Sequence, residues 1–274
     1  MKKNRVKSMT LASLLILGLT SGGVVFGESL ANEQVSSGFV EVVGSTVTEI
    51  MDPERPIRPI EVEEDSPSTQ GMLRIDHITP LNFGKVKIKE THRTYSALAY
   101  MIKNENLYRG NFIQVSDFRE DSSGWTLQVK QEEQFRTENY DELTGAVLSL
   151  DKGWANSVDL EDLPIVTRDT IEISNIGDSY DVVRASKETG KGIWSLTFGA
   201  SEDNLNNQNT TLIPEESPAP EVTETDREVP QEAGSDKKST VLRNQAIQLT
   251  IPDKAKIVPG EYQAKFIWIL GELP

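Results

Sequence analysis

The chain has 274 residues, with 43 acidic and 28 basic side chains, two histidines and no cysteine. The lack of cysteine excludes disulfides, thiolate metal sites and thiol nucleophiles, and two histidines are too few for a three-histidine metal centre. A net charge of −15 argues against a nucleic-acid partner, because such binding depends on clustered basic side chains that neutralise phosphates.

The N-terminus has the layout of a secretory signal peptide. Four positive charges and no negative one precede residue 8, and residues 9–19 are almost wholly apolar. We predict a signal peptide over residues 1–27, with cleavage after Ala31 as the alternative. The apolar run is shorter than the roughly 20 residues that span a bilayer, so we expect a secreted chain without a membrane span after cleavage.

Two acidic, proline-rich segments are predicted to lie outside the core. Residues 28–70 hold ten acidic residues, two basic residues and four prolines, which is typical of an extended linker. The alternative for this range is a strand around Phe39 to Val43 that docks on a partner. Residues 214–240 hold eight acidic residues, three basic residues and four prolines, and we expect a disordered insertion between strands of one domain.

The remaining residues alternate apolar and polar side chains in short runs. In chain order the runs lie at residues 85–89, 125–130, 146–150, 171–173, 194–198, 247–251 and 262–270. Alternation with period two puts one face of a strand in a core and the other in water. No sustained helical stripe is present. The predicted fold is therefore all-β, an antiparallel β-sandwich of Ig-like or jelly-roll-like type.

Two Trp-x-Leu tripeptides, Trp125-Thr126-Leu127 and Trp268-Ile269-Leu270, lie about 140 residues apart. The stretches Gly71-Met72-Leu73-Arg74-Ile75-Asp76-His77-Ile78 and Leu81-Asn82-Phe83-Gly84 precede them. With the signal peptide, these stretches resemble the WxL-domain family of Gram-positive cell-surface proteins, with the domain over residues 71–274. A third tripeptide, Trp194-Ser195-Leu196, is interpreted as a core strand.

The resemblance implies a secreted protein that attaches non-covalently to the cell wall and binds peptidoglycan. It also implies association with other WxL proteins and with a membrane-anchored partner family, in surface complexes that contact host matrix. Two functions stay open. The chain is either a wall-binding module whose ligand is peptidoglycan, or a subunit of a surface complex whose wall attachment is indirect.

The candidate cell-wall-binding residues are Trp125, Leu127, Trp268 and Leu270. In a strand, Trp at position i and Leu at i+2 share a face. In one interpretation both pairs are core residues and the motif is a fold signature. In the other, the two strands are neighbours and at least one indole is partly exposed, where it stacks on a sugar ring.

A catalytic role is not expected. The acidic run at residues 159–162 is typical of a solvated turn, and we expect His77 to be packed and His92 to lie in a polar turn. The oxygen-rich loops at 117–124 and 204–209 lack the spacing of a known calcium loop. No zinc motif, phosphate loop or nucleophile elbow is present, so we expect no enzyme, no cofactor and no metal site.

Overall fold

The structure is a computed structural model that describes residues 49–62, 66–216 and 240–274. Within these residues the fold is all-β, with seventeen strands and no helix. The described ranges accordingly contain no helix with the length and hydrophobicity needed to cross a membrane.

The strands are numbered in chain order. Their bounds are β1 (Met51–Asp52), β2 (Arg55–Pro59), β3 (Leu73–Ile78), β4 (Thr94–Leu98), β5 (Tyr100–Met101), β6 (Tyr108–Arg109), β7 (Asn111–Asp117), β8 (Trp125–Arg136), β9 (Val147–Leu150), β10 (Gly153–Asn156), β11 (Ile165–Val166), β12 (Ile171–Ile173), β13 (Ser179–Ala185), β14 (Gly192–Phe198), β15 (Leu212–Glu216), β16 (Thr240–Thr250) and β17 (Gln263–Glu272).

Three larger sheets build the domain. The first has the order β10-β14-β7-β3 and the second the order β11-β13-β8-β17. The third has the order β12-β9-β16-β15, with β4 also paired to β16. Two-stranded ribbons are formed by β1 with β2 and by β5 with β6. Every one of these pairs is antiparallel, which confirms the predicted all-β antiparallel fold.

The main hydrophobic core draws side chains from all three larger sheets. Ile113, Val115, Leu127, Leu148 and Leu196 are each at most 2% exposed. Burial of each such side chain contributes about 1.5–3 kcal/mol, so packing stabilises this cysteine-free domain. Six of the seven predicted runs fall on strands, namely β8, β9, β12, β14, β16 and β17.

The run at residues 85–89 is not a strand, so that prediction is wrong. Val86 and Ile88 are 40% and 49% exposed and lie in an irregular segment between β3 and β4. The segment turns at Gly84, which has a φ of 60° and donates its N–H to the Asn82 side chain at 2.7 Å. No strand of the described residues pairs with this run, and Val86 and Ile88 line a cavity instead.

Part of the range predicted as a linker is folded onto the first sheet. Residues 49–62 contain the β1–β2 hairpin, which covers the face of β7 that points away from the core. The Gln114 side chain of β7 donates to the Glu49 carbonyl at 3.0 Å and accepts from the Met51 N–H at 2.8 Å. As a result β7 is buried along its whole length.

A buried ion pair attaches this hairpin to the domain. Asp52 and Arg109 are both fully buried, and two hydrogen bonds of 2.8 and 3.0 Å join their side chains. Arg58 of the same segment lies 3.6 Å from Asp52, but Arg109, the fully buried partner, lies 57 residues away. Local composition therefore favours a solvated spacer and gives no sign of the buried pair. Of the rest of the predicted linker, residues 28–48 and 63–65 lie outside the described residues, and residues 66–70 are irregular.

The predicted insertion at 214–240 connects two neighbouring strands. Strand β15 ends at Glu216 and β16 begins at Thr240, and these two residues pair in register. Pro214 lies in β15, at the edge of the sheet, where proline is tolerated. Residues 217–239 and the predicted signal peptide both lie outside the described residues.

Candidate functional site

The two Trp-x-Leu motifs lie on neighbouring strands, as one interpretation of the motifs predicts. Strands β8 and β17 pair with Leu270 opposite Leu127 and Trp268 opposite Val129. Trp125 pairs with Glu272, which lies four residues beyond Trp268 on β17. The two indoles are therefore staggered by about 13 Å along the strands. They therefore do not form one joint platform.

Trp125 is a core residue. Its side chain is fully buried, and its indole Nε1 donates a hydrogen bond to the Gly190 carbonyl at 3.0 Å. Gly190 has a φ of 75°, and a Cβ at this position would lie 2.9 Å from Trp125 Nε1. The indole fits because this neighbour is glycine. Leu127 is fully buried as well, so the first motif builds the core and presents no surface to a ligand.

The second motif is placed differently. Trp268 and Leu270 are half-buried on β17, an edge strand that has β8 on one side. Both side chains pack against the main core. Trp268 also lines a cavity of about 1170 Å³, which the other three predicted site residues do not line. Trp194 of the third tripeptide is 1% exposed, which confirms the core interpretation of that strand.

We call this cavity the Trp268 cleft. It lies between β17, the end of β3, the irregular segment that follows β3, and the loop at residues 251–262. Its aromatic lining residues are Phe83, Tyr95, Phe135, Tyr262, Phe266 and Trp268. A concave surface of this kind is suited to ligands that present flat or apolar faces.

Contacts behind the surface hold the wall of the Trp268 cleft in place. The Phe135 ring packs edge-on against Phe83 and Phe266, with ring centroids 6.1 and 6.0 Å apart. The Tyr262 hydroxyl donates to the Val258 carbonyl at 2.8 Å and accepts from the Val258 N–H at 3.1 Å. These contacts restrict the rotamers of the lining residues, so the cleft is preformed.

The polar groups of the cleft lie mainly at its rim. Asn82 and Gln263 offer amide groups to a ligand. Lys85 also lines the cleft, while Lys87 and Lys89 line an adjoining cavity of about 500 Å³. Lys85 and Lys87 form no ion pair within the described part of the chain. Glu261 also lines the cleft and Glu215 the adjoining cavity, so the rim carries both signs of charge, and the lysines are the groups that would attract a carboxylate of a bound ligand.

The two histidines occupy a packed and a surface position. His77 is 2% exposed between the rings of Tyr100 and Phe112, and burial lowers its pKa to about 4. Its Nδ1 is hydrogen-bonded to the Ser66 hydroxyl. His92 is exposed in the turn before β4, with a φ of 52°. These positions agree with the sequence-based interpretation of both residues.

In the loop at residues 117–124, which was considered for calcium, the Asp117 carboxylate is hydrogen-bonded to other protein groups. Asp117 accepts hydrogen bonds from Arg119 at 2.8 and 2.9 Å and from Ser122 at 2.8 Å. Burial raises the pKa of Asp117, but these bonds outweigh it and bring the pKa below its ordinary value. Residues 159–162 form an exposed turn. Among the described residues, no three acidic or histidine side chains are grouped to hold a metal ion.

Several residues of the cleft were not identified as site residues from the sequence. Phe83 and Tyr262 lie in or beside the stretches that carry the family resemblance, while Val86 and Ile88 were assigned to a strand. A usable signal was present in residues 79–93, where proline and glycine flank apolar side chains. Such a segment cannot pair as a regular strand, so its apolar side chains need another surface.

Comparison with known proteins agrees with the motifs. The family model of the WxL domain, described as surface cell wall-binding, matches residues 30–274. No curated protein and no solved structure matches the chain significantly. The family match begins before Gly71 and includes the β1–β2 hairpin. Since the match covers most of the chain and contains both Trp-x-Leu motifs, the chain belongs to the WxL family of surface cell wall-binding domains.

Proposed function

We propose that this chain is a secreted protein that attaches non-covalently to the cell wall by binding peptidoglycan in the Trp268 cleft. The position of Trp268 supports the proposal. This tryptophan of the second WxL motif is half-buried and lines a preformed aromatic cleft, whereas Trp125 is enclosed in the core. The charged and then apolar N-terminus of residues 1–27 supports secretion.

Peptidoglycan has chemical groups that suit each part of the cleft. Its sugar rings have apolar faces that stack on indole and phenol rings. Its stem peptides carry amides, for which Asn82 and Gln263 offer hydrogen-bond partners. The stem-peptide carboxylates suit the lysines of the rim. Anionic teichoic polymers match less well, because the net charge of −15 opposes the approach of a long polyanion.

The test is retention of the chain on purified peptidoglycan freed of protein and teichoic polymers. The Trp268→Ala variant should bind about tenfold more weakly, because a stacking surface worth about 1.4 kcal/mol is removed. Trp125→Phe is the control, since it changes the core and leaves the cleft intact. Its folded fraction, measured by near-ultraviolet circular dichroism, should bind as the wild type does.

Two results would contradict the proposal in different ways. Equal binding by wild type and folded Trp268→Ala would exclude the Trp268 cleft as the site. Absence of binding by the folded wild-type chain would exclude peptidoglycan as the direct ligand.

The alternative proposal is a subunit of a surface complex that binds other WxL-type proteins, a membrane-anchored partner or host matrix. The outer edge of β17 favours it: in residues 49–62, 66–216 and 240–274 only β8 pairs with β17, and an unpaired edge accepts a strand from another protein. In that case the chain would be retained on intact walls that carry their proteins and lost from bare peptidoglycan. The pull-down above distinguishes the two proposals.

A further inference from the structure

A second cavity, of about 750 Å³, adjoins the Trp268 cleft, and we call it the Tyr140 cavity. It lies between the turn at residues 137–141, which follows β8, and the start of β17 with the loop before it. The two cavities share one wall. The residues that line both are Val258, Pro259, Gly260, Glu261, Gln263 and Ala264. A polymer that crosses this wall can therefore contact both cavities.

This wall and the turn approach each other closely. A Cβ at Gly260 would lie 3.1 Å from Thr137 Cγ2, so the absence of a side chain at Gly260 lets the wall pack against the turn. The turn is closed by hydrogen bonds from the Thr137 N–H to the Asp141 carbonyl at 2.9 Å and from the Tyr140 N–H to the Thr137 carbonyl at 3.0 Å. The Tyr140 cavity is therefore bounded on two sides by fixed backbone.

Tyr140 presents an aromatic ring to solvent in this cavity. The residue is 77% exposed, and the Arg136 guanidinium lies over one face of the ring, 5.5 Å from its centroid. The guanidinium orients the ring through a cation–π contact and leaves the other face open. A ligand with a flat apolar face can stack there.

Folding stability does not account for a tyrosine at this position. Tyr140 has a φ of 64°, a left-handed backbone conformation that is strained for a residue with a Cβ. Glycine would relieve the strain, and an exposed ring adds little packing to the fold. Strained residues of this kind cluster at functional sites, so the ring points to a role at the surface.

The polar groups near Tyr140 suit a ligand that is rich in hydroxyl groups. In the three described ranges, the side chains of Glu138, Asn139 and Asp141 form no hydrogen bond or ion pair. Their carboxylates and amide oxygen are acceptors for hydroxyl donors, and the Asn139 amide also offers a donor.

The charges of the Tyr140 cavity disfavour an anionic ligand. Its two basic lining residues already have acidic partners, since Arg136 pairs with Glu133 and Lys265 pairs with Glu132 at 2.6 Å. The carboxylates near Tyr140 have no such partner among the described residues. The cavity therefore favours an uncharged ligand over a phosphate polymer or an acidic peptide.

We propose that the Tyr140 cavity is a second carbohydrate-binding site, at which a sugar ring of the peptidoglycan glycan strand stacks on Tyr140; this rests on the proposed function, because peptidoglycan is taken as the ligand. A sugar ring has an apolar face for the phenol ring and hydroxyl groups for the acceptors around it. Two sites on one chain hold a polymeric ligand with higher avidity than one site does.

The first test is a titration of the isotope-labelled chain with a short, peptide-free oligosaccharide released from peptidoglycan, followed by NMR. The Trp268 indole N–H reports on the Trp268 cleft, and the Tyr140 backbone N–H reports on the Tyr140 cavity. Both signals of the wild type should shift. The Trp268 signal should still shift in Tyr140→Ala, and the Tyr140 signal should still shift in Trp268→Ala.

The second test is retention on purified peptidoglycan. Tyr140→Ala should bind about fivefold more weakly because the stacking surface is lost, whereas Tyr140→Phe keeps the ring and should bind as the wild type does. Both variants keep a Cβ at position 140, so the backbone strain is the same in each. The control is Leu205→Ala, which removes an 84% exposed apolar side chain that lines neither cavity, and its retention should be unchanged.

Three outcomes would overturn the inference. These are a Tyr140 signal that stays in place while the Trp268 signal shifts, a Tyr140→Ala variant that is retained as well as the wild type, and a Tyr140 signal that responds to free stem peptide but not to the oligosaccharide. A shift of the Tyr140 signal alone would support the Tyr140 site and reject the Trp268 cleft as a glycan site. A shift of neither signal would reject both sites.

Discussion

At the residue scale, His77 is a buried titratable side chain that opposes folding in acid. It packs between two aromatic rings, where an imidazolium ion would lose its hydration. Burial therefore lowers its pKa from 6.5 to about 4. Its Nε2 has no hydrogen-bond partner among the described residues, so this nitrogen gains nothing from burial.

We predict that acid destabilises the fold through His77. Its pKa in the folded chain lies below that in the unfolded chain, so the unfolded chain takes up the proton first. The contribution of His77 to the free energy of unfolding is largest above pH 6.5 and declines as the pH falls from 6.5 to about 4. Below that pH it is constant, about 3 kcal/mol smaller than at neutral pH. Urea unfolding at a series of pH values should show this decline in the wild type and its absence in His77→Gln.

The comparison between wild type and variant separates His77 from other groups. Burial raises the pKa of Glu54 despite its hydrogen bonds from Ser201, so Glu54 gives a stability change of the opposite sign as the pH falls. Glu54 is present in both proteins and cancels in the difference between their free energies of unfolding. An unchanged pH profile in His77→Gln would show that other groups cause the decline.

At the scale of elements, the β1–β2 hairpin is held to the domain by buried charges. Asp52 forms two hydrogen bonds with Arg109, and Glu54 accepts hydrogen bonds from the backbone N–H and hydroxyl of Ser201. All of these side chains are buried. Removing one partner of a buried ion pair lowers the free energy of unfolding, because the charge of the remaining partner stays buried without compensation.

We predict that Asp52→Ala lowers the free energy of unfolding by about 3 kcal/mol, since it leaves Arg109 buried with fewer partners. The matched control on the same hairpin is Arg55→Ala. Arg55 pairs with Asp203 where both side chains are exposed, so its loss should cost less than about 1 kcal/mol. Denaturant unfolding measures both values, and equal losses would show that the buried pair has no special role.

At the scale of the whole molecule, negative charge is concentrated in two segments of the sequence. Residues 28–70 hold ten acidic against two basic residues, and residues 214–240 hold eight against three. At the Trp268 cleft and the cavity beside it, Lys85, Lys87 and Lys89 lie together with Glu261 and Glu215, so charges of both signs are present. Long-range electrostatics would therefore contribute little to wall attachment, while short-range contacts in the cleft would provide the affinity.

From the proposed function we predict a weak salt dependence of wall binding. Retention on purified peptidoglycan should change by less than about twofold between low and moderate salt, because stacking and amide hydrogen bonds are little screened. A pull-down over a salt series measures this. A steep loss of retention would indicate that charge pairing dominates the interaction.

Local patterns in the sequence predicted strands well wherever a neighbouring strand exists. The runs at residues 125–130 and 262–270 lie on β8 and β17, and they pair as one interpretation of the motifs required. The run at 85–89 has the same alternation, but in the part of the chain that the structure describes no strand pairs with it. Period-two patterning describes the two faces of a segment and contains no information about its lateral partners.

The sequence by itself determined the β-rich antiparallel class, the family motifs and the concentration of acidic residues in two segments. These follow from local composition and periodicity. The tertiary structure decided which tryptophan is available to a ligand. Trp125 and Trp268 have the same Trp-x-Leu context, but β8 lies between β13 and β17 while β17 lies at the edge. It likewise decided that the acidic hairpin is folded, because Asp52 meets Arg109 only through contacts between distant parts of the chain.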